Sequence, residues 1–181
     1  TSDSGYVGTT GVDGRWVINL ASNLPQITDA VVIDATTQTS SVGDTNVGYL
    51  GTGGTVGVDG LTLDRVLRPE VSITGTTSLT RGLDINASNV TIRGFAIDTF
   101  SSSSGVAIYV NDGVSGTLIE NNVLGVSATA IADPGSAARI LQLIQIMGAD
   151  NGTIRNNLLG YSGQTGIYLA NASDSWTIQN N

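Results

Sequence analysis

A short phrase repeats along this chain, and the repeat constrains the fold more than any other feature. The phrase is GTLIENNVLG at 116–125, and it returns as GTIRNNLLG at 152–160 and in part as WTIQNN at 176–181. Aligning VTIRGFAI with these copies places four isoleucines, 24 to 35 residues apart, in one column: Ile92, Ile119, Ile154 and Ile178. Self-similarity of this kind is typical of proteins that build one structural unit per repeat.

The local pattern within each repeat predicts short β-strands, since apolar and polar residues alternate. Two further columns follow the same alignment. One holds GLDIN, GVAIYV, LQLIQI and GIYLAN, and the other holds the aliphatic residues Ile97, Leu124 and Leu159. Only the stretch 136–148 has spacing that a helix would also explain. Its β-branched tail and the repeat alignment favour a loop that enters a strand.

Three short strands in a repeat of roughly 22 to 27 residues match a coil in which each strand lies on its equivalent one turn below. Stacked strands sit about 4.8 Å apart, so that equivalent side chains touch. The paired asparagines then stack at a corner, where amides can bond along the axis as a structural ladder. The predicted ladder residues are Asn121, Asn122, Asn156, Asn157, Asn180 and Asn181.

These TI-x-NN-x-L-G units, spread over residues 69–181, resemble the right-handed parallel β-helix repeat proteins, a superfamily that includes pectate lyases, alginate epimerases and many bacterial surface proteins. The stretch INLASNLPQITDAVVIDATTQ at 18–38 is similar to the opening rungs of large secreted bacterial β-helix proteins. The resemblance implies an all-β, right-handed parallel β-helix with three short strands per rung. It does not choose a function, because one fold carries many activities.

The chain is predicted to form a single β-helix domain over residues 1–181, with opening rungs at 1–38 and regular repeats at 70–181. Between them, residues 39–69 are rich in Gly, Ser and Thr, break the rhythm and predict an excursion from one coil. Long excursions often carry binding function. Tyr49, near the middle of this one, is a candidate contact residue, although it could also pack on the coil wall.

Composition excludes several classes of site. The chain has no Cys and no His, so it can form neither a thiolate or imidazole metal site nor a Ser-His-Asp relay. Its net charge of -8 predicts no binding to nucleic acid, which needs a basic face. The sequence contains no apolar run long enough to span a bilayer, so we expect no membrane insertion.

The β-helix resemblance also implies what an enzyme of this kind would need. Lyases would require carboxylates that hold calcium beside an Arg or Lys base, and related hydrolases would require an Asp cluster with a His. The acids of this chain are instead scattered through Gly-rich turns, which favours a non-enzymatic role and predicts no catalytic residues. The turns at 110–113 and 148–152 could bind calcium through oxygen ligands, but similar turns form without metal. No other cofactor or metal is expected.

The residue that follows each column isoleucine should point outward. This outward column holds Arg93, Glu120, Arg155 and Gln179, with an acid between two bases. Arg93, Glu120 and Arg155 could form a charged groove for a uronic acid polymer. We favour instead an exposed ion-pair ladder that fixes the register of the rungs, since exposed pairs typically contribute at most about 1 kcal/mol each.

Four Asn-x-Ser/Thr triplets fall in predicted turns and could carry glycans if the chain is secreted through a glycosylating pathway. A turn Asn followed by a strand Thr also generates this triplet without any modification. The four acceptor positions are Asn86, Asn89, Asn151 and Asn171.

The sequence therefore predicts a secreted or cell-surface structural or adhesive rod, a segment of a longer protein or a subunit of a head-to-tail filament. We expect self-association through open β-helix ends, with RWVINL at 15–20 as a strand that could be donated to a neighbouring copy. Outward polar rows could bind glycans. The alternative is a carbohydrate-active module, a lyase or epimerase on an acidic polysaccharide.

Overall fold

The computed structural model describes residues 4–51, 53–56, 58, 60–62 and 65–181, so the predicted opening rungs and the excursion each lie partly outside the described residues. Strands predominate in this part of the chain, which also contains a helix of 6 residues, α1 (Thr37–Val42). The strands in chain order are β1 (Tyr6–Val7), β2 (Arg15–Asn19), β3 (Val32–Asp34), β4 (Tyr49–Leu50), β5 (Thr55–Val56), β6 (Leu61–Thr62), β7 (Val66–Leu67), β8 (Val71–Thr74), β9 (Arg81–Ile85), β10 (Thr91–Arg93), β11 (Phe95–Asp98), β12 (Val106–Val110), β13 (Leu118–Glu120), β14 (Val123–Leu124), β15 (Gln142–Met147), β16 (Thr153–Arg155), β17 (Leu158–Leu159), β18 (Thr165–Ala170) and β19 (Thr177–Gln179).

Most strands belong to three sheets, each of which takes one strand from each repeat. Sheet A has the order β1-β2-β8-β11-β14-β17, sheet B the order β9-β12-β15-β18 and sheet C the order β3-β10-β13-β16-β19. All neighbours in these sheets are parallel except β1 and β2, which are antiparallel. The all-β class is therefore correct, and it is built on parallel sheets.

The strand register confirms the columns of the sequence alignment. In sheet C, Ile92 pairs with Ile119, Ile119 with Ile154 and Ile154 with Ile178. Ile33 of β3 extends this column at its other end. The predicted columns of sheets A and B pair in the same way. The stretch 136–148 enters strand β15 through a turn, as its alignment predicted.

The aliphatic columns supply the main core. Ile92, Ile119 and Ile154 are fully buried, and they belong to one cluster that also contains residues of sheets A and B. The core thins toward β19, where Ile178 is 46% exposed. Each buried isoleucine thus touches its own copies, which ties the burial of one repeat to that of the next.

The N-terminal strands join the same sheets. β2 pairs in parallel with β8, and Ile18 lies beside Ile73. Within this chain, RWVINL therefore contributes a strand to sheet A. β3 likewise pairs with β10, which places Asp34 beside Arg93.

The segment between the opening strands and β8 folds differently from the repeats. It begins with α1, which the sequence did not predict, and continues in two antiparallel strand pairs, β4 with β7 and β5 with β6. Leu50 and Val66 bury their side chains against Ala96 and Val123, which belong to sheet A. We call β4 and β7, with the flanking Arg65 and Arg68, the hairpin arm, and it covers part of sheet A on the side away from the main core.

Candidate functional site

Charged residues form a continuous column on the outer face of sheet C. The third residues of β3, β10, β13 and β16 are Asp34, Arg93, Glu120 and Arg155, and Gln179 follows on β19. Arg93 Nη2 lies 2.6 Å from Asp34 Oδ2, and Arg93 Nη1 lies 3.4 Å from Glu120 Oε1. Arg155 Nε donates to Glu120 Oε2 over 2.8 Å. Signs alternate along this charged column, and each arginine bonds a carboxylate on a neighbouring strand.

The charged column is more enclosed than the sequence predicted. The Glu120 side chain is only 8% exposed, whereas those of Arg93 and Arg155 are 38% and 41% exposed. Glu120 is thus not part of an exposed ladder; it is a buried carboxylate capped by two half-exposed guanidinium groups. A hydrogen bond from Arg93 lowers the pKa of Asp34, and the same bond raises the pKa of Arg93. Each oxygen of Glu120 bonds one arginine, Oε1 with Arg93 and Oε2 with Arg155, so the carboxylate bridges two strands.

The structure gives the two asparagines of each NN pair different roles. The second residues form an amide ladder: Asn122 Nδ2 donates to Asn157 Oδ1 over 3.1 Å, and Asn157 Nδ2 donates to Asn181 Oδ1 over 2.8 Å. Asn157 Nδ2 also donates to the Ile119 carbonyl over 3.0 Å. The amide ladder thus bonds side chains to each other and to the backbone inside the corner.

The first asparagine of each pair makes the turn instead. Asn121, Asn156 and Asn180 have φ of 55°, 56° and 54°, in the left-handed region that Asn tolerates better than most residues. No hydrogen bond joins their side chains in the described part of the chain. The amide ladder therefore contains three of the six predicted residues, the second asparagine of each pair. Sequence alone could not separate the roles, because the two residues of each pair are identical.

Tyr49 lies close to the first asparagines of two NN pairs. It is 51% exposed, and with Arg65, Asn121 and Asn156 it lines a depression of about 330 Å³ beside the corner. The Arg65 guanidinium lies 4.6 Å from the centroid of the Tyr49 ring. Leu50, the residue after Tyr49, is buried, so the hairpin arm is anchored by Leu50 and exposes Tyr49 to solvent.

A second polar surface, which the sequence analysis missed, lies on sheet B. The Arg81 guanidinium lies 3.6 Å from the centroid of the Tyr109 ring and 2.6 Å from Asp84 Oδ2. Tyr109 pairs in register with Asp84 on one side and with Gln145 on the other. These four residues line a groove of about 400 Å³, which we call the sheet B groove. The sequence alignment could have predicted this groove, since a polar or aromatic residue stands at the same place in GLDIN, GVAIYV and LQLIQI.

The predicted glycan acceptors all lie outside strands and are exposed. Three of them, Asn89, Asn151 and Asn171, have positive φ, so these asparagines have a conformational role in their turns. In the turn at 148–152, Asp150 Oδ1 accepts the Asp174 backbone N–H over 2.8 Å. The described residues contain no group of three or more acidic side chains placed to hold a metal ion.

Comparisons with protein-family models, curated proteins and solved structures found no match for the chain. Within the described residues, no helix is long and apolar enough to cross a bilayer.

Proposed function

We propose that this chain is a right-handed parallel β-helix that serves as a structural or adhesive rod outside the cell. The order in which the chain visits its sheets supports this proposal. From β9 onward it passes through sheets B, C and A in turn, completes this cycle three times and begins a fourth with β18 and β19. A coil is the simplest path that gives such an order with every neighbour parallel.

In-register stacking is the observation that carries the proposed rod function. Sheet C keeps one register through five strands, with isoleucines inside and the charged column outside. The amide ladder ties three successive corners together. Stability in such arrays is shared between neighbouring units, which suits a long, stiff support.

The adhesive part of the proposal concerns the sheet B groove. A tyrosine ring with amide, carboxylate and guanidinium groups beside it can bind a sugar through ring contact and hydroxyl hydrogen bonds. Tyr109→Ala should weaken binding of the purified chain on a glycan array, while Tyr161→Ala, at an exposed tyrosine outside the groove, should leave it unchanged. Equal binding by both variants would remove the groove from the proposal.

Self-association is proposed through the edge strands of the stacked sheets. β17, β18 and β19 lie at one edge of sheets A, B and C, and Ile178 of β19 is 46% exposed. Val32 of β3, at the other edge of sheet C, is 60% exposed. Open edges of this kind pair readily with further strands. Electron microscopy of the purified chain should show end-to-end assemblies, and uniform monomeric particles would contradict self-association.

The proposed location is the cell surface or the medium. Antibodies raised against the purified chain should label intact source cells or their culture medium. Labelling that requires permeabilised cells would contradict an extracellular role.

A carbohydrate-active module, a lyase or epimerase on an acidic polysaccharide, remains the second candidate. The specific observation in its favour is the Arg81–Asp84 pair beside Tyr109 in the sheet B groove. Turnover of pectate or alginate with added calcium, abolished by a chelator and by Asp84→Asn, would make the enzyme the better account. Binding without turnover would favour the structural or adhesive rod over the enzyme.

A further inference from the structure

A cleft lies between the hairpin arm and the corner that follows sheet C. It has a volume of about 500 Å³, and we call it the arm cleft. Arg65, Arg68 and Tyr49 line it from the arm side, and Asn121 lines it from the corner. Leu67, which pairs in register with Tyr49, is 58% exposed and also lines the cleft. The arm cleft thus combines two cations, an aromatic ring and an exposed aliphatic side chain.

The two arginines of the arm cleft form no ion pair with a carboxylate of the described residues, and the same is true of Arg15. Among the described residues, ion pairs engage Arg81, Arg93, Arg139 and Arg155 but neither Arg65 nor Arg68.

Arg68 is also incompletely satisfied within the chain. Its Nη1 donates to the Val47 carbonyl over 3.2 Å, and its Nε is buried without a hydrogen-bond partner. A guanidinium carries five N–H donors in a fixed fork, so most of its donor capacity is unused. The Arg65 guanidinium lies over the Tyr49 ring, 4.6 Å from its centroid.

Glu70 also lines the arm cleft, but both of its carboxylate oxygens already accept hydrogen bonds. Its Oε1 accepts the backbone N–H groups of Thr45 and Asn46 over 2.8 and 3.1 Å, and its Oε2 accepts the Thr45 hydroxyl. Glu70 thus holds the loop, and the arginines are the charged groups of the cleft lining that can meet a ligand.

We propose that the arm cleft binds a peptide segment of a partner protein in which an acidic residue lies beside an apolar one. The guanidinium groups match a carboxylate, with which arginine forms paired hydrogen bonds, and Tyr49 and Leu67 supply the apolar contact. Exposed Tyr and Arg are enriched at protein interfaces and dominate their binding energy. The arm, Thr39 and Ser40 of α1 and one corner line the site, so the proposal does not require that the chain forms a rod.

The test is a selection from a random-peptide display library on the immobilised wild-type chain, followed by affinity measurements on the selected peptides. We expect enrichment of Asp or Glu next to an apolar residue. Arg65→Gln should weaken binding about tenfold, the loss of one charge-assisted contact, and Tyr49→Ser should weaken it too. The matched control is Arg139→Gln, which removes an arginine paired with Asp133 outside the cleft and should bind like the wild type.

Failed folding is separated from failed binding by the thermal unfolding midpoint, which Arg65→Gln should leave unchanged. Selected peptides without acidic residues, no selected peptide at all, or equal binding by Arg65→Gln would overturn the proposal. Sedimentation tests whether a second copy of this chain occupies the cleft instead. If the wild type self-associates and Arg65→Gln abolishes this association, the cleft binds a second copy of this chain. That result would also overturn the proposal of a separate partner protein.

Discussion

The regular repeats and the hairpin arm are held in place by different kinds of contact. In the repeats, each buried residue contacts copies of itself on both sides, as Ile119 does between Ile92 and Ile154. The arm has no copies, and it depends on the buried Leu50 and on the single carboxylate of Glu70, which binds Thr45 and Asn46. Because the contacts of the repeats are redundant and those of the arm are few, we expect that changing one residue can release the arm but not the repeats.

The largest expected effect is on the stacked core. Ile119 is fully buried, so Ile119→Ala should lower the free energy of unfolding by about 2–5 kcal/mol through lost contacts and a residual cavity. Ile178→Ala, in the same column at the exposed edge, should cost less than about 1 kcal/mol. Chemical denaturation measures both. Equal losses would mean that the column is not stacked as described.

The amide ladder comes next. Asn157→Ala removes the acceptor of the Asn122 N–H and the donor to the Ile119 carbonyl, which leaves buried polar groups unpaired. The expected loss is about 3 kcal/mol, since each such group costs about 1–3 kcal/mol. Asn156→Gly is the control, because φ of 56° suits glycine and the side chain is outside the ladder. A loss at Asn156 as large as that at Asn157 would contradict the division of roles.

Glu70→Ala should affect the arm and leave the repeats intact. It removes the acceptor for three hydrogen bonds from Thr45 and Asn46, with an expected cost of about 2 kcal/mol that is confined to the loop. Hydrogen exchange should speed up at 44–50 and stay slow at 142–147. Glu70→Gln, which keeps one acceptor, should have a smaller effect. Faster exchange in both segments would show that arm and repeats unfold together.

The smallest expected effect is a pH dependence at the same loop. Desolvation, a hydrogen bond with Glu70 and the charge of Glu70 raise the pKa of Asp44 above its ordinary value of 3.8. The folded state therefore holds this proton more tightly than the unfolded state. The resulting stabilisation is present below pH 3.8 and is lost as pH rises through the raised pKa.

Asp44→Asn, which mimics the protonated form, tests this pH dependence. Its stability relative to the wild type should increase as pH rises from about 4 and level off above the raised pKa. Burial also raises the pKa of Asp98, but Asp98 is present in both proteins and its contribution cancels. A constant difference across this range would contradict the coupling of Asp44 to Glu70.

The sequence predicted the structural features that the repeats share. The columns of all three sheets and the outward position of Arg93, Glu120 and Arg155 follow from the alignment, because neighbouring strands are copies. Asp34 was missed, although VVID aligns with VTIR and could have shown that β3 extends the charged column.

The remaining features depend on contacts that no pattern marks. The helix Thr37–Val42 contains no buried residue and has no N-cap side-chain hydrogen bond, so it carries neither of the usual signals. The place of the hairpin arm is set by Leu50 packing against sheet A and by Glu70 bonding residues 25 positions earlier in the chain. The sheet B groove needs the pairing of Arg81 with Tyr109, which depends on side-chain direction.

Distances between spin labels test the stacked arrangement most directly. The chain has no cysteine, so Val32→Cys, Thr91→Cys and Thr177→Cys allow labels at chosen sites of one sheet C column. Thr177 lies three strands from Thr91 and four from Val32, which predicts backbone separations of about 14 Å and about 19 Å. A distance that grows by one strand spacing between the two pairs is the predicted result. Two equal distances, or distances far beyond this range, would contradict a single parallel stack.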